Sequence, residues 1–312
     1  MILVTLIHLG SLTVIGSFHQ FFTYSKVALI LAIGVLGFAV GNSQGISFLP
    51  EEGDMELVTS GAFAISLIYV LYAYSGWNAA TYMMDEVKKP ERNVPLALLI
   101  GTLFVTVLYI FVNAAFLYST PINDLKGESE VGLIAAQSIL GPKGGMIMGI
   151  LISFGLISSI SSMVWAGPRV SAAIGRDYSG LRFLERTNKN GIPAIAILIQ
   201  GAIVVALVLS ATFEQLINYV QGLLTISSLL VVTGIFFLRV KRPDIKRPYK
   251  AWGYPLTPAI FALTSGYVLW FQIKEKTVEF GWGIATLALG AGVYAAMIHL
   301  RKRAKTEPHN SN

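Results

Sequence analysis

The 312-residue chain is 54% hydrophobic and only 13% charged, with a mean hydropathy of +0.65. Soluble domains carry roughly 25% charged residues, so a soluble globular fold is excluded. The net charge of +6 sits in short loops between apolar runs, which argues against a nucleic-acid surface, and the lack of cysteine excludes disulfides and thiolate metal sites.

Apolar stretches of roughly 20 residues, enough to cross about 30 Å of hydrocarbon, predict nine spans in an all-α polytopic membrane protein. The first two are 1–16 and 25–41. Met1 opens an apolar run without the basic stretch of a signal peptide. Lys26, the one basic residue inside a span, falls near the start of the second, where a lysine can snorkel to the helix end. The acidic segment PEEGDMEL (50–57) precedes a third span, 59–82, which carries Ser75-Gly76-Trp77-Asn78 in its middle. Mixed charge follows in DEVKKPERNVP, where pairing of Asp85 and Glu86 with Lys88, Lys89 and Arg92 is a simpler expectation than proton carriage.

The fourth span is 95–118, and the connector 120–144 contains EVGLIAAQSIL, which predicts a short helix over the outer face. The fifth span, 144–167, holds Ser158, Ser159, Ser161 and Ser162, hydroxyls suited to bonds between helices. The remaining spans are 192–211, 216–238, 255–273 and 280–300, with a polar tail over 301–312. Asn113, Asn218, Tyr219 and Gln221 are polar within spans, and Tyr219 is the first choice among them to line a cavity. His8 and His19 have no acidic or histidine partner at ligand spacing. No phosphate loop, zinc motif or nucleophile elbow is present, so no metal, cofactor or enzymatic chemistry is predicted.

Eighteen of the 23 Lys and Arg residues lie in one alternate set of connectors. Cytoplasmic loops concentrate basic residues, which puts the C-terminal tail in the cytoplasm and 50–57 outside. Nine crossings then place Met1 outside at the mouth of a span. That arrangement predicts an odd number of preceding spans, most economically three.

A break inside the third span needs a physical reason, because backbone at membrane depth is left unpaired only against protein or a watery cavity. Gly76 supplies the conformational freedom. Carbonyls of Tyr72, Ala73 and Ser75 at the end of the first half-helix suit an ammonium group, and amides after the break suit an anion. Close helix packing through Ser75, Gly76, Ala79 and Ala80 is the competing explanation. Trp77 and Asn78 favour a site, since each needs a polar partner when buried.

Three segments in order, LYAYSGWNAATYMMDEVKKPERNVPLAL, AGPRVSAAIGRDYSGLRFLERTNKNGIPAIAI and RPDIKRPYKAWGYPLTP, resemble the amino acid–polyamine–organocation (APC) permeases, especially their L-type amino acid transporter branch. The second departs from the family in having Asp177-Tyr178 where Asp-Gly is usual. The resemblance covers essentially the whole chain and implies a LeuT-type (APC) fold of two inverted five-helix repeats. The nine spans then match family helices four to twelve. Residues 1–41 end the first repeat, 59–239 form the second, 255–300 are two C-terminal helices, and the family's broken first helix is absent.

The same resemblance implies that carbonyls near Tyr72, Ala73 and Ser75 receive a substrate α-amino group and that Tyr72 is the gating aromatic. Gly76 permits the unwinding, while Trp77 and Asn78 border a side-chain pocket. Lys26 matches a lysine that replaces a sodium ion in several of these permeases and couples transport to protonation. Burial disfavours its charged form, which makes proton linkage physical. The expected function is secondary transport of amino acids by alternating access in the plasma (cell inner) membrane, as proton symport or exchange of neutral substrates, with the lipid bilayer and a proton as further partners and no disulfide-linked subunit. The alternatives are a truncated, non-transporting remnant, a sensor or assembly partner, or a permease for cationic amino acids or polyamines.

Overall fold

The computed structural model describes residues 5, 12–50, 52–82, 84, 87–247 and 249–306, and the side chains of all of these except 12–18 and 300–306. Among them there is helix and no strand. The main helices are α1 (Leu12–Val40), α2 (Gly61–Ala73), α3 (Ala79–Tyr82), α4 (Pro90–Ser119), α5 (Val131–Asp177), α6 (Ala194–Ser210), α7 (Phe213–Lys241), α8 (Leu256–Glu275) and α9 (Thr277–Thr306). Among the described residues six helices are long and apolar enough to cross a membrane, and α2 and α6 are shorter apolar helices. All eight expected spans from 25–41 onward coincide with a helix or, at 59–82, with the pair α2 and α3. Most of the expected span 1–16 lies outside the described residues, as do His8, Asp85, Glu86 and the end of the tail from 307.

Three boundaries differ from the expectations. The loop expected over 17–24 is helical, because α1 runs unbroken from Leu12. Its polar residues remain helical by folding hydroxyls back on the backbone: Thr23 donates to the His19 carbonyl at 2.8 Å and Ser25 to that of Phe21 at 2.9 Å. The short helix expected before the fifth span is present but is joined to it in α5, with one non-helical residue, Gly141 (φ 74°, ψ −177°), followed by Pro142. At the far end α9 continues through Thr306, so part of the predicted polar tail is helical.

The chain forms two compact units: Met1–Pro50 with Ala79–Ile174 and Phe183–Ala202, and Glu51–Asn78 with Gly175–Arg182 and Ile203–Asn312. In the first, α1 packs on α4 along a stripe of glycines. A Cβ at Gly34 would run into the Phe111 ring, and one at Gly37 would sit 3.0 Å from the Ala115 Cβ. Small residues therefore set how closely these helices approach. The arm of α5 before Gly141 closes this packing, with Ala136 and Ile139 against Ile33 and Met148 and the Ser138 hydroxyl donating to the Ser119 carbonyl at 2.9 Å.

In the second unit α2 lies against α7 and α8 through Ile68, Ile217 and Val268. The start of α7 is fixed by a reciprocal cap between Thr212 and Gln215. Buried amides join α7 to α8, with Gln272 Nε2 donating to the Asn218 carbonyl at 2.7 Å.

Candidate functional site: the helix break and the Lys26 seam

α2 is an apolar helix that starts cleanly and stops in mid-span. Its N-cap Ser60 accepts from the Phe63 amide at 3.2 Å, and the Tyr267 hydroxyl lies 3.1 Å from both the Val58 and Ser60 carbonyls. Its inner face, Ala64 and Ile68, is fully buried. The helix ends at Ala73. The Tyr74 amide still reaches the Val70 carbonyl at 3.1 Å, but the Ser75 amide turns back to Tyr72 at 2.9 Å, an i→i+3 closure that tightens the last turn.

Gly76 then takes φ 95°, a region that a side chain makes costly, and helical structure resumes at Ala79. The break expected at Ser75-Gly76 is therefore present. Tyr72, Ala73, Ser75, Gly76, Trp77 and Asn78 all lie on it or beside it. Tyr72, Ala73, Ser75 and Trp77 are exposed, while Gly76 and Asn78 are half-buried. The Tyr72 carbonyl accepts from the amides of both Tyr74 and Ser75 in this closing turn.

The polar residues expected to line a cavity have partners on α4, α7 and α9. The Tyr219 hydroxyl is 2.9 Å from Thr286 Oγ1 on α9. Thr286 itself donates to the Trp282 carbonyl, so Tyr219 is the donor and ties α7 to α9. Asn218 and Gln221 are buried; the Asn218 amide donates to the Glu214 carbonyl and the Gln221 amide to Thr225. Asn113 bonds back to the Tyr109 carbonyl of its own helix.

Lys26 belongs to the first unit. Because α1 begins at Leu12, Lys26 is 14 residues into the helix rather than at its start. Its ammonium donates to Ser159 Oγ at 3.2 Å, and the residue is half-buried. Gly155 makes room for it, since a Cβ there would be 3.2 Å from Lys26 Cγ. The serines therefore bind groups on another helix in addition to any packing role.

Sequence reasoning missed His19, whose ring stands between Ser161 (Nε2 to Oγ, 3.4 Å) and Ser162 (Nδ1 to Oγ, 3.4 Å). The available signal was its spacing: seven residues before Lys26, hence on the same face of one helix.

Helices long and apolar enough to cross a membrane, with a shorter apolar helix that breaks off before a positive-φ glycine, define a multi-pass membrane protein. A sequence profile of the amino acid permease family matches residues 1–294, and the chain belongs to that family. It is 26% identical to the b(0,+)-type amino acid transporter 1 of Homo sapiens over 92% of this chain and 59% of that protein. It is 25% identical to the Large neutral amino acids transporter small subunit 2 of Oryctolagus cuniculus (98% and 57%) and 24% to the Cystine/glutamate transporter of Homo sapiens (91% and 56%). The chain thus spans less than two thirds of the length of these relatives. All three are named as transporters, and none as an enzyme.

Proposed function

We propose that this protein carries amino acids across the plasma (cell inner) membrane by alternating access, as a proton symporter or exchanger of neutral amino acids and not as an enzyme. The observation that carries this reading is the break between α2 and α3, where Gly76 takes φ 95° in the middle of an apolar stretch. In this reading the carbonyls of Tyr72, Ala73 and Ser75 receive the substrate ammonium, Tyr72 closes over it, and Trp77 and Asn78 border the side chain. Tyr219 lines the substrate cavity, with its hydroxyl held by Thr286.

Lys26 is the coupling group, its ammonium held by Ser159. Residues 59–239 form one inverted repeat and 1–41 the end of the other, with the tail on the cytoplasmic side, a placement that the distribution of basic loops supports. The names of the relatives support amino acids as the substrate class. The test is uptake of labelled neutral amino acids by purified protein in liposomes, with and without a pH gradient. Saturable uptake that responds to the gradient is expected; absence of saturable uptake under every gradient refutes the proposal.

A further inference from the structure

We infer that His19 is a second proton-holding group of the Lys26 seam, a role that rests on the proton-coupled reading above. The hydrogen bonds assign its neutral tautomer. Ser162 donates its hydroxyl to the Ser158 carbonyl at 3.1 Å, so toward His19 Nδ1 it can only accept. Nδ1 therefore carries the proton. Nε2 then presents its lone pair to the fully buried Ser161 hydroxyl, which donates to it. A proton arriving from water forms an N–H bond at Nε2, and Ser161 turns from donor to acceptor by rotating its hydroxyl. The ring can stay in place in both states, and the same N–H bond breaks when the proton leaves.

Two further observations join this position to Lys26. His19 and Lys26 are two helical turns apart on one face of α1, a rise of about 10.5 Å, and both contact a single serine run on α5. Within that run Ser158 is 1% exposed, and its hydroxyl has no hydrogen-bond partner among the described residues. Such a buried group is costly to leave unpaired and can serve as a donor or an acceptor.

Among the described residues, the contacts bring two charges toward His19: Lys26 on its own helix and, from α5, Arg169. The Arg169 guanidinium lies 4.2 Å over the Trp165 ring, and that ring stands edge-on to His19 at 6.2 Å. Both are cationic, so a proton on His19 and a charge on Lys26 oppose each other. The seam therefore shares a proton between two bases instead of holding one at a single lysine.

The experiment compares the full-length protein with His19→Asn in liposomes. Asparagine keeps a donor for Ser162 but takes no proton, so it preserves a merely structural role and removes the proposed one. The parent is expected to change its uptake rate between about pH 5 and 8, the interval in which histidine switches. His19→Asn should flatten that profile while keeping the parental melting temperature. In 15N spectra of histidine-labelled protein, the His19 signal, found by its loss in His19→Asn, should be the Nδ1–H tautomer at the alkaline end and doubly protonated at the acid end.

A pH-dependent parent whose profile survives His19→Asn, or a His19 signal that never changes protonation, overturns the role of His19 and leaves proton coupling through Lys26 standing. A parent that transports without any pH dependence overturns the coupling itself, and the role of His19 with it.

Discussion

Replacing Gly76 with alanine tests the element on which the functional reading depends. Gly76 has φ 95°, and for a residue with a Cβ the left-handed side of conformational space costs roughly 1–2 kcal/mol. Alanine must therefore bear that strain or redraw the turn from Tyr74 to Asn78. If the turn is the substrate site, redrawing it moves the Tyr72, Ala73 and Ser75 carbonyls, and the loss should appear as a KM raised about 5- to 30-fold, the same energy expressed as affinity. If every state of the protein bears the strain equally, it appears as a lower melting temperature instead.

Gly76→Asn should do less harm, because asparagine enters the positive-φ region more readily than other residues. It should not restore the parent fully, since 95° lies beyond the usual left-handed well. The assay is uptake kinetics in liposomes alongside thermal unfolding in detergent. Gly76→Ala with both KM and melting temperature unchanged would falsify the claim that the break requires a positive-φ residue.

The packing and the loops make separate predictions. Gly37→Leu should destabilise the first unit by about 1–3 kcal/mol, the usual cost of overpacking, because a Cβ there already meets Ala115 at 3.0 Å; Gly101→Leu on α4, where a Cβ meets nothing within 4 Å, should leave thermal unfolding unchanged. Arg247, beyond the end of α7, donates to the carbonyls of Leu238 in its last turn and of Arg242, Pro243 and Ile245 in the loop that follows. Arg247→Ala should loosen that loop by about 1–2 kcal/mol, read as faster tryptic cleavage around Lys246 and Lys250, and Arg247→Lys should not restore it, lacking the planar fork.

Lys276 donates to Glu214 at 2.6 Å, and this bond raises the lysine above its ordinary 10.5. A raised folded-state value means that the stabilisation is complete below 10.5 and disappears as the pH climbs through the folded value. With Glu214 56% exposed, its size is at most about 1 kcal/mol. Lys276→Met should remove only that alkaline sensitivity from the unfolding temperature.

The residues explain how much of this was legible beforehand. The break in α2 could be seen because its cause is local: a Ser-Gly pair followed by Trp and Asn inside an apolar run has few ways to satisfy its backbone in lipid. The same holds for Gly141-Pro142, where a short helix was expected and a bent continuation of the next one is found. Tyr219 was expected to line a cavity from its polarity, which says nothing of what holds its hydroxyl. Its partner, Thr286, is 67 residues away and belongs to a helix whose neighbours the sequence does not specify. Gln272, fully buried and bonded to the Asn218 backbone, gave no signal for the same reason. An amide near a helix end looks solvated until its facing helix is known.

Lys26 and His19 show where local reading fails in a correctable way. The polar stretch around Phe18-His19-Gln20 reads as a connector if each polar residue counts against helix, and then His19 and Lys26 have no fixed relation. The Thr23 and Ser25 hydroxyls return to carbonyls one turn back, so helix continues through the stretch at little cost. Once it is continuous, a spacing of seven residues places both bases on one face. The contacts across more than 130 residues of sequence, Lys26 to Ser159 and His19 to Ser161 and Ser162, then follow from one pairing of helices. Hydroxyl back-bonding in α1 is thus what turns two separate basic residues into neighbours on a shared surface, and a proton-coupling role for either one has to be tested with the other in place.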